Sequence, residues 1–389
     1  MTAGGQNLPR ILHVLNALDA GGMERTLLSL VAGTSDRFDH VICTLRGPGP
    51  LADRVPACAR LVSLGVQGER APAALGLARL IRACRPALVH ARSWGVWADA
   101  ALGCVLGGRP PLILSFHGLQ SDTGFGRRDR MRCRWVRCLC RRYACVSRAG
   151  TRQLVEELGI PLSWITLLPN GVDTDRFRPF SGDVRAQVRA ALGLPQTAFV
   201  AGTVGSLTPV KDHDGFLQAL RRCRDAGLVI HGLVVGDGPL RASLAERVQR
   251  DGLEGFVHFT GRRDDGPQML AAMDVHVCSS RSEGMSNAVL EAMAAGLPVV
   301  ATDVGDNGWL LDGGRAGVLV PPRAPQSLAS AICGLAGDEA VRHALCDAAR
   351  RRVCGQFTSA GTRQHHVLLY SSVLDEVSRP QRRPVLALP

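Results

Sequence analysis

The sequence predicts an α/β protein of two domains, each built on a parallel sheet that helices cover on both faces. Three observations support this fold class. The chain has 389 residues, which is too long for one ordinary hydrophobic core and suits two domains. Short apolar segments alternate with helix-like segments in both halves of the chain. A segment rich in Pro, Gly, Asn and Asp, at about 168–195, separates the halves.

The first domain is assigned to residues 1–180. It begins with the strand-like segment ILHVLNAL and the turn DAGG, after which MERTLLSLVAG has a helical pattern. Further predicted strands, each ending in polar residues or glycine, are HVICTL, ALVHAR and PLILSFHG. In parallel sheets ligands bind at the carboxyl ends of the strands. Gly21, Gly22 and His117 are therefore candidate ligand residues, because they follow or end these strands.

The second domain is assigned to residues 181–360. Its predicted strands are AFVAGTVGSL, GLVIHGLVVGDGP, FVHFTG, DVHVCSS, LPVVATD and GVLVPP, with helical segments such as DGFLQALRRCRDAG between them. Residues 361–389 are predicted to form a C-terminal helix that returns to the first domain, followed by a basic tail.

The amino-acid composition limits the classes of binding partner and the cellular compartment that are expected. The net charge of +12 favours an acidic partner such as a phosphorylated substrate, anionic lipid or nucleic acid. Thirteen cysteines without CxxC spacing predict reduced structural thiols and a cytoplasmic protein. No cluster of His, Cys and carboxylates has metal spacing, so no metal site is expected. No secretory signal and no apolar run of about 18 residues is visible.

Two glutamates stand in the stretch SRSEGMSNAVLEAMAAGLPVVATD, residues 280–303. Glu283 and Glu291 have seven residues between them. A helix is predicted from about 287 to 295, so Glu283 falls in the turn before it and Glu291 a little over one turn into it. A carboxylate within an apolar helix is expected to have a polar partner. The alternative is that both glutamates are ordinary exposed charges.

The start of the same helix is a predicted anion site. Its N–H groups around Gly284, Met285 and Ser286 point at one place, and Ser286 or Asn287 can cap the helix. The turn therefore offers a phosphate cradle flanked by two carboxylates. A nucleotide sugar has the phosphates and the vicinal hydroxyls that fit such a cradle.

The motif E-x7-E followed by EAMAAGLPVVATD resembles the signature of family 4 glycosyltransferases, retaining enzymes with the GT-B fold. Other segments resembling family landmarks are GTVGSLTPVKDHDGFLQAL, LPNGVDTDRFRP, VVGDGPLRASL, SFHG, CVSRAG and the GG of LDAGGMER. The resemblance runs from about Ile11 to Tyr370. It implies two Rossmann-like domains facing across a cleft, the first binding the acceptor and the second the nucleotide sugar, with no cofactor and no essential metal.

The resemblance also implies roles for individual residues. Three would be catalytic: Glu283 beside the transferred sugar, His117 at the donor sugar, and Lys211, which would neutralise the diphosphate leaving group. Glu291 would hydrogen-bond the ribose hydroxyls of the donor. The other donor-binding candidates are Gly21, Gly22, Ser206, Lys211, Gly284, Met285 and Ser286. The alternatives are a plain tight turn for the two glycines, a structural histidine and an exposed loop lysine.

One position departs from the family pattern. The commonest family form is Gly-Arg-Leu, whereas this chain has Gly205, Ser206 and Leu207. Ser206 can donate a hydrogen bond but carries no charge. The diphosphate would therefore meet one cation fewer, unless another arginine replaces it.

Residues 126–142 form a basic stripe with eight arginines and one aspartate. If this stripe is helical, five arginines fall on one face, with Met131, Trp135 and Cys138 beside it: Arg127, Arg130, Arg134, Arg137 and Arg141. A basic helix with a tryptophan fits an anionic membrane surface. A solvated helix is the alternative, and no aromatic platform supports nucleic acid.

Together these patterns predict a retaining glycosyltransferase that moves a hexosyl or N-acetylhexosaminyl group from a nucleotide-diphosphate donor to an acceptor hydroxyl. The acceptor is expected to be a glycan or a lipid-linked glycan in cell-envelope or exported polysaccharide synthesis. The expected location is the cytoplasm, with the inner face of the cytoplasmic membrane as a peripheral site. The alternatives are a sugar-nucleotide 2-epimerase on the same fold and a non-catalytic nucleotide-sugar binder.

Overall fold

The structure is a computed structural model that describes residues 8–19, 21–67, 73–118 and 124–378. The chain divides into two units. The first contains the residues up to Pro169 and those from Gly361 onward, and the second is Asn170–Ala360. The first division lies eleven residues before the predicted boundary at 180, and the second coincides with the predicted boundary at 360.

The first unit is built on a sheet whose seven described strands all pair in parallel, in the order β3-β2-β1-β4-β5-β6-β7. These strands, β1 to β7, are Arg10–Leu15, Asp39–Thr44, Ala59–Ser63, Leu88–Ala91, Leu112–Phe116, Arg142–Cys145 and Ile165–Leu167. Helices α1 to α5 are Gly22–Ala32, Ala74–Cys84, Trp97–Gly107, Arg127–Arg137 and Arg148–Leu158.

The second unit has a sheet of six described strands, again parallel, in the order β10-β9-β8-β11-β12-β13. Strands β8 to β13 are Phe199–Val204, Ile230–Val235, Val257–Gly261, Val275–Cys278, Val299–Thr302 and Val318–Val320. Helices α6 to α13 are Gly182–Ala191, His213–Asp225, Arg241–Arg250, Gly266–Ala271, Asn287–Ala294, Asn307–Leu310, Pro325–Gly337 and Glu339–Gln356. Apolar clusters cover both faces of the sheet. The predicted fold class, two parallel-sheet α/β domains, is therefore confirmed.

Strand order locates the ligand edge of each sheet. Neighbouring strands β8 and β11 are followed by connections that leave in opposite directions, to β9 on one side and β12 on the other. The loops after such a pair diverge and leave a crevice at the carboxyl ends of the strands. Strands β1 and β4 stand in the same relation in the first sheet.

The last helix, α14 (Ser359–Ser378), completes the interior of the first unit. Its Tyr370 is fully buried, and the Tyr370 hydroxyl lies 2.8 Å from Nδ1 of His90 on β4. Arg92, which follows β4, is also fully buried and donates to Nε2 of His366 and to the Tyr370 hydroxyl, at 3.3 and 3.2 Å.

The direction of the hydrogen bonds around Arg92 follows from its chemistry. A guanidinium only donates, so Nδ1 of His13, 3.3 Å from Arg92 Nη2, must accept. His13 then donates from Nε2 to Nδ1 of His40 at 3.0 Å, and His40 donates to Thr34 at 2.9 Å. Each imidazole in this series of hydrogen bonds is therefore neutral and held in one tautomer. The series stabilises the buried Arg92 cation, which forms no ion pair with a carboxylate among the described residues.

This network makes the first unit sensitive to acid. Burial and the charge of Arg92 lower the pKa from 6.5 to about 4 for His40 and to about 3 for His366. The unfolded chain therefore binds more protons below pH 6.5, so stability is full above that pH and is lost as the pH falls toward these lowered values. Each such histidine should contribute about 1.4 kcal/mol of lost stability per pH unit in this window.

Calorimetric unfolding between pH 8 and pH 5 measures this loss. His366→Gln should make the unfolding temperature fall less steeply with pH. The control is His343→Asn, because the His343 side chain is 76% exposed, and it should leave the slope unchanged. An unfolding temperature that stays constant from pH 7 to pH 5 would contradict the expectation.

Candidate active site

Two loops of the second unit meet at the carboxyl ends of β8 and β11. The first contains Ser206 and the short helical turn Pro209–Lys211, and the second contains residues 279–286. Backbone and side-chain bonds join them: Arg281 N–H donates to Val210 O at 2.8 Å, and the Ser279 hydroxyl donates to Lys211 O at 3.0 Å. The loops therefore present their side chains from one place.

Lys211 and Glu283 form a direct ion pair across these loops. Lys211 Nζ lies 2.5 Å from Glu283 Oε1, and the Ser280 hydroxyl donates to the same oxygen at 2.7 Å. The Cys278 thiol is 3.9 Å away. The Lys211 side chain is 27% exposed and the Glu283 side chain is 10% exposed. Burial is the largest single effect and disfavours the ammonium, but the charges of Glu283 and Cys278 and the hydrogen bond to Glu283 together outweigh it and raise the pKa of Lys211, so the amine stays charged.

A second ion pair joins the same loops in the opposite sense. Arg281 Nη2 lies 2.6 Å from Asp212 Oδ1, and the side chains are 40% and 6% exposed. Asp212 adopts the left-handed region at φ 48° and stands at the start of α7. On the first loop Lys211 directly precedes Asp212, and on the second loop Arg281 precedes Glu283 by two residues. Each cation is thus paired with the acid of the other loop.

The start of helix α10 differs in detail from the expected anion cradle. Ser286 caps the helix, since its hydroxyl accepts from Val289 N–H at 3.4 Å. Met285 is 6% exposed, and its sulfur accepts from Asn170 N–H at 3.2 Å. The side chains of these two residues are therefore committed to structure, which leaves the backbone around Gly284 for a ligand. Glu291 is half-buried on α10.

The Glu283 loop rests on the segment that follows β12. Asp306 N–H donates to Gly284 O at 3.0 Å, and the Thr302 hydroxyl donates to Ser280 O at 2.6 Å. Gly305 has φ 56°, and a Cβ there would lie 1.9 Å from Glu283 O. This segment was not among the predicted site residues. The one local signal for it was the glycine in ATDVGDN, which motif comparison alone did not connect to Glu283.

Gly305→Ala should displace the Glu283 loop. The added methyl meets backbone oxygen in a conformation that L side chains rarely adopt, so a loss of about 2 kcal/mol of stability is expected. Activity should fall by more than this stability loss explains, because the loop sets the Lys211–Glu283 geometry. Gly313→Ala is the matched control, since Gly313 has a similar φ of 64° with open space around it. Equal activity losses in the two variants would contradict this assignment.

Three predicted residues lie in the first unit. Gly21 precedes α1 and has an ordinary φ of −78°, so the backbone conformation at this position does not require glycine. Its missing side chain instead makes room for Glu24, whose Oε2 would lie 2.5 Å from a Cβ at Gly21. Burial raises the pKa of Glu24 to about 7. Gly22 begins α1.

His117 follows β5. Its Nε2 is buried and has no hydrogen-bond partner among the described residues. Burial lowers the pKa of His117 to about 3, with Arg92 and His366 adding to the effect, so the ring is neutral. A neutral ring with one unused nitrogen can donate one hydrogen bond to a ligand hydroxyl or accept one from it.

Ser206, two residues after β8, has an exposed side chain whose oxygen lies 3.4 Å from the Thr208 hydroxyl. It supplies no charge. Within the described ranges, no group of three His, Cys or carboxylate side chains is arranged to hold a metal ion.

The basic stripe is shorter than the sequence indicated. Helix α4 ends at Arg137, so Arg141 lies beyond it and Arg142 begins β6. Arg137 is half-buried and donates to Gly159 O at 3.2 Å. Met131 and Trp135, one turn apart, remain 68% and 48% exposed. Among the described helices, none is both long enough and apolar enough to span a bilayer.

Two family profiles match separate parts of the chain. Residues 20–176 match the family described as Glycosyltransferase Family 4, and residues 198–338 match the family described as Glycosyl transferases group 1.

Among curated relatives, the chain is 30% identical over 363 residues to a 2-deoxystreptamine N-acetyl-D-glucosaminyltransferase of Streptomyces fradiae, covering 83% of this chain and 84% of the relative. It is 27% identical over 350 residues to the UDP-Gal:alpha-D-GlcNAc-diphosphoundecaprenol alpha-1,3-galactosyltransferase of Escherichia coli, covering 85% and 88%. Among solved structures, Anabaena HepE in complex with UDP and glucose matches with a TM-score of 0.82 at 23% identity, covering 94% of this chain and 100% of that one.

Proposed function

The chain belongs to the group 1 and family 4 glycosyltransferases, and from this premise we propose that it is a retaining enzyme that transfers a sugar from a nucleoside-diphosphate donor to an acceptor hydroxyl. The observation that carries the proposal is the Lys211–Glu283 pair at the crevice between β8 and β11, beside the start of α10. A cation at that edge is placed to receive a diphosphate, and the helix start adds backbone donors.

Lys211 has the main part in the proposed mechanism. Breaking the bond between sugar and diphosphate develops negative charge on the leaving oxygen. A fixed ammonium stabilises that charge more in the transition state than in the ground state. Glu283, released from Lys211 by the incoming phosphates, then faces the sugar, where positive charge develops. The leaving phosphate oxygen accepts the acceptor's proton on the same face, so the chain supplies no nucleophile. The proposed reaction uses the ammonium of Lys211, in place of a metal ion, beside the leaving diphosphate.

The proposed donor is a UDP-activated hexose or N-acetylhexosamine. The names of the Escherichia coli relative, which uses UDP-Gal, and of the Streptomyces relative, which transfers N-acetylglucosamine, support this choice. Glu291 is the proposed partner of the ribose hydroxyls, because a carboxylate accepts two hydrogen bonds from a vicinal diol.

Thermal shift tests the donor. UDP-, GDP-, ADP- and dTDP-sugars are added separately, and one that binds only the folded protein raises the unfolding temperature. Glu291→Ala should abolish the shift. Product analysis with and without acceptor then separates transfer from epimerisation, because an epimerase forms an altered sugar without acceptor. A chain that no nucleotide sugar stabilises would overturn the proposal.

The proposed acceptor is a lipid-linked glycan at an anionic membrane surface. The acceptor named for the Escherichia coli relative, a diphosphoundecaprenol, supports it. Helix α4 adds a physical reason, because its exposed Met131 and Trp135 are flanked by exposed Arg128 and Arg134.

Vesicle sedimentation tests the membrane surface. Trp135→Ala combined with Met131→Ala should lower binding to phosphatidylglycerol vesicles about tenfold. Leu162→Ala removes a side chain that is 65% exposed outside α4, so it serves as the control and should have no effect. Equal binding by all three proteins would end this part of the proposal.

A further inference from the structure

We propose that Arg281 is a second cation for the donor diphosphate, held on Asp212 until the nucleotide arrives. This inference rests on the proposed function. No sequence motif assigned Arg281 to the site. Its charge bears on how the negative charge of the diphosphate is neutralised.

The question is one of charge. A nucleoside diphosphate carries about two to three negative charges near neutral pH. Lys211 supplies one positive charge, and Glu283 already neutralises it at 2.5 Å. Ser206, on the same loop, supplies a hydroxyl and no charge. With Lys211 alone, a diphosphate would be only partly neutralised in a site that holds a glutamate.

The position of Arg281 answers this question. Its backbone N–H bonds Val210 O at 2.8 Å, so the residue lies alongside the turn that carries Lys211. Its guanidinium contacts Asp212, the residue directly after Lys211. The Arg281 side chain is 40% exposed, whereas Asp212 is 6% exposed. The cation is thus on the accessible side of its pair, and its acid is fixed in the fold.

The energetics favour exchange. The Arg281 guanidinium is 40% exposed, so solvent partly screens its contact with Asp212, and the contact is weaker than a fully buried ion pair. A guanidinium bound to phosphate forms a charge-assisted and often bidentate contact, which is stronger. When a diphosphate enters beside Lys211, the Arg281 guanidinium can therefore exchange Asp212 for a phosphate or contact both.

Substitution of the two partners separates this role from a structural one. Arg281→Met should weaken UDP binding about tenfold while changing uridine binding less than twofold, since one charged contact is lost. Asp212→Asn should tighten UDP binding about threefold, because it removes the negative charge that competes with the diphosphate for Arg281. Asparagine also tolerates the left-handed conformation of Asp212. A pair that serves only to hold the loops together would weaken binding in both variants.

Calorimetric titration with UDP, and ligand-observed NMR titration with uridine, measure these effects. Arg221→Met is the matched control, because it removes an arginine from an exposed ion pair on α7, nine residues beyond Asp212, and it should change neither affinity. Ser206→Arg in the Arg281→Met background should restore UDP affinity to within about threefold, since it returns a cation to the same pair of loops.

The outcomes are distinguishable. Suppose that the natural protein binds UDP. If Arg281→Met then binds UDP equally well, or loses affinity for UDP and uridine to the same extent, the role of Arg281 is overturned and the proposed function stands. If the natural protein binds none of UDP, GDP, ADP and dTDP, both are overturned.

Discussion

Lys211→Met is expected to lower kcat/KM for sugar transfer by about 10²- to 10³-fold, or about 3–4 kcal/mol of transition-state stabilisation. Methionine keeps the apolar stem of the side chain and removes the charge, so the variant isolates the electrostatic contribution. Initial rates over a range of donor concentrations measure it. The loss should appear in kcat as well as in KM, because charge on the diphosphate grows as the sugar bond breaks.

The same variant should also lower stability, because it leaves the Glu283 carboxylate, 10% exposed, without its cation. The expected cost is about 1–3 kcal/mol. The double variant Lys211→Met with Glu283→Gln should regain most of that stability while remaining inactive. A Lys211→Met protein that keeps more than half of its activity would show that the diphosphate is neutralised elsewhere.

Glu283→Gln is expected to change binding and turnover in opposite directions. It should lower transfer about 100-fold, because the carboxylate no longer faces the positive charge that develops on the sugar. It should also tighten UDP binding about tenfold. The ion pair of 2.5 Å is lost, so Lys211 no longer has to exchange a carboxylate for a phosphate, and a negative charge beside the diphosphate disappears.

Titration of UDP into Glu283→Gln tests this directly, with Glu254→Gln, an exposed glutamate outside the two loops, as the control. The glutamine keeps the size of the side chain and can still accept from the Ser280 hydroxyl, so the loop should keep its shape. Weaker UDP binding by Glu283→Gln than by the natural protein would mean that the ion pair supports the nucleotide site and does not compete with the ligand.

The sheets could be predicted from sequence where strands are fully buried. The six predicted strands of the second domain correspond to β8–β13. The interior strands β8, β9, β11 and β12 are largely buried on both faces and are continuous hydrophobic runs, and the partly buried edge strands β10 and β13 keep enough apolar residues to be recognised. Strands β3, β6 and β7 were not predicted. Strand β3 is half-exposed, β6 begins with Arg142 directly after the basic stripe, and β7 is three half-buried residues, so none of them is a continuous apolar run.

The candidate site could be predicted residue by residue but not pair by pair. The E-x7-E spacing and the loop lysine pointed to Glu283, Glu291 and Lys211. The contacts of Lys211 with Glu283 and of Arg281 with Asp212 span 72 and 69 residues and depend on how two distant loops come together, which local patterns do not specify. The histidines around Arg92 were missed for a related reason, since His13, His40 and His366 lie on three different elements and local patterns do not show that these elements meet.

The docking of Tyr370 and His366 against β4 and β1 has a consequence for biosynthesis. The second unit is one continuous segment, Asn170–Ala360, and all of it is synthesised before the rest of α14, which belongs to the first unit. The first unit begins earlier but holds the buried Arg92, two of whose acceptors, His366 and Tyr370, lie on α14. The domain translated first is therefore the one that finishes folding last, and until then its open sheet face needs protection from aggregation.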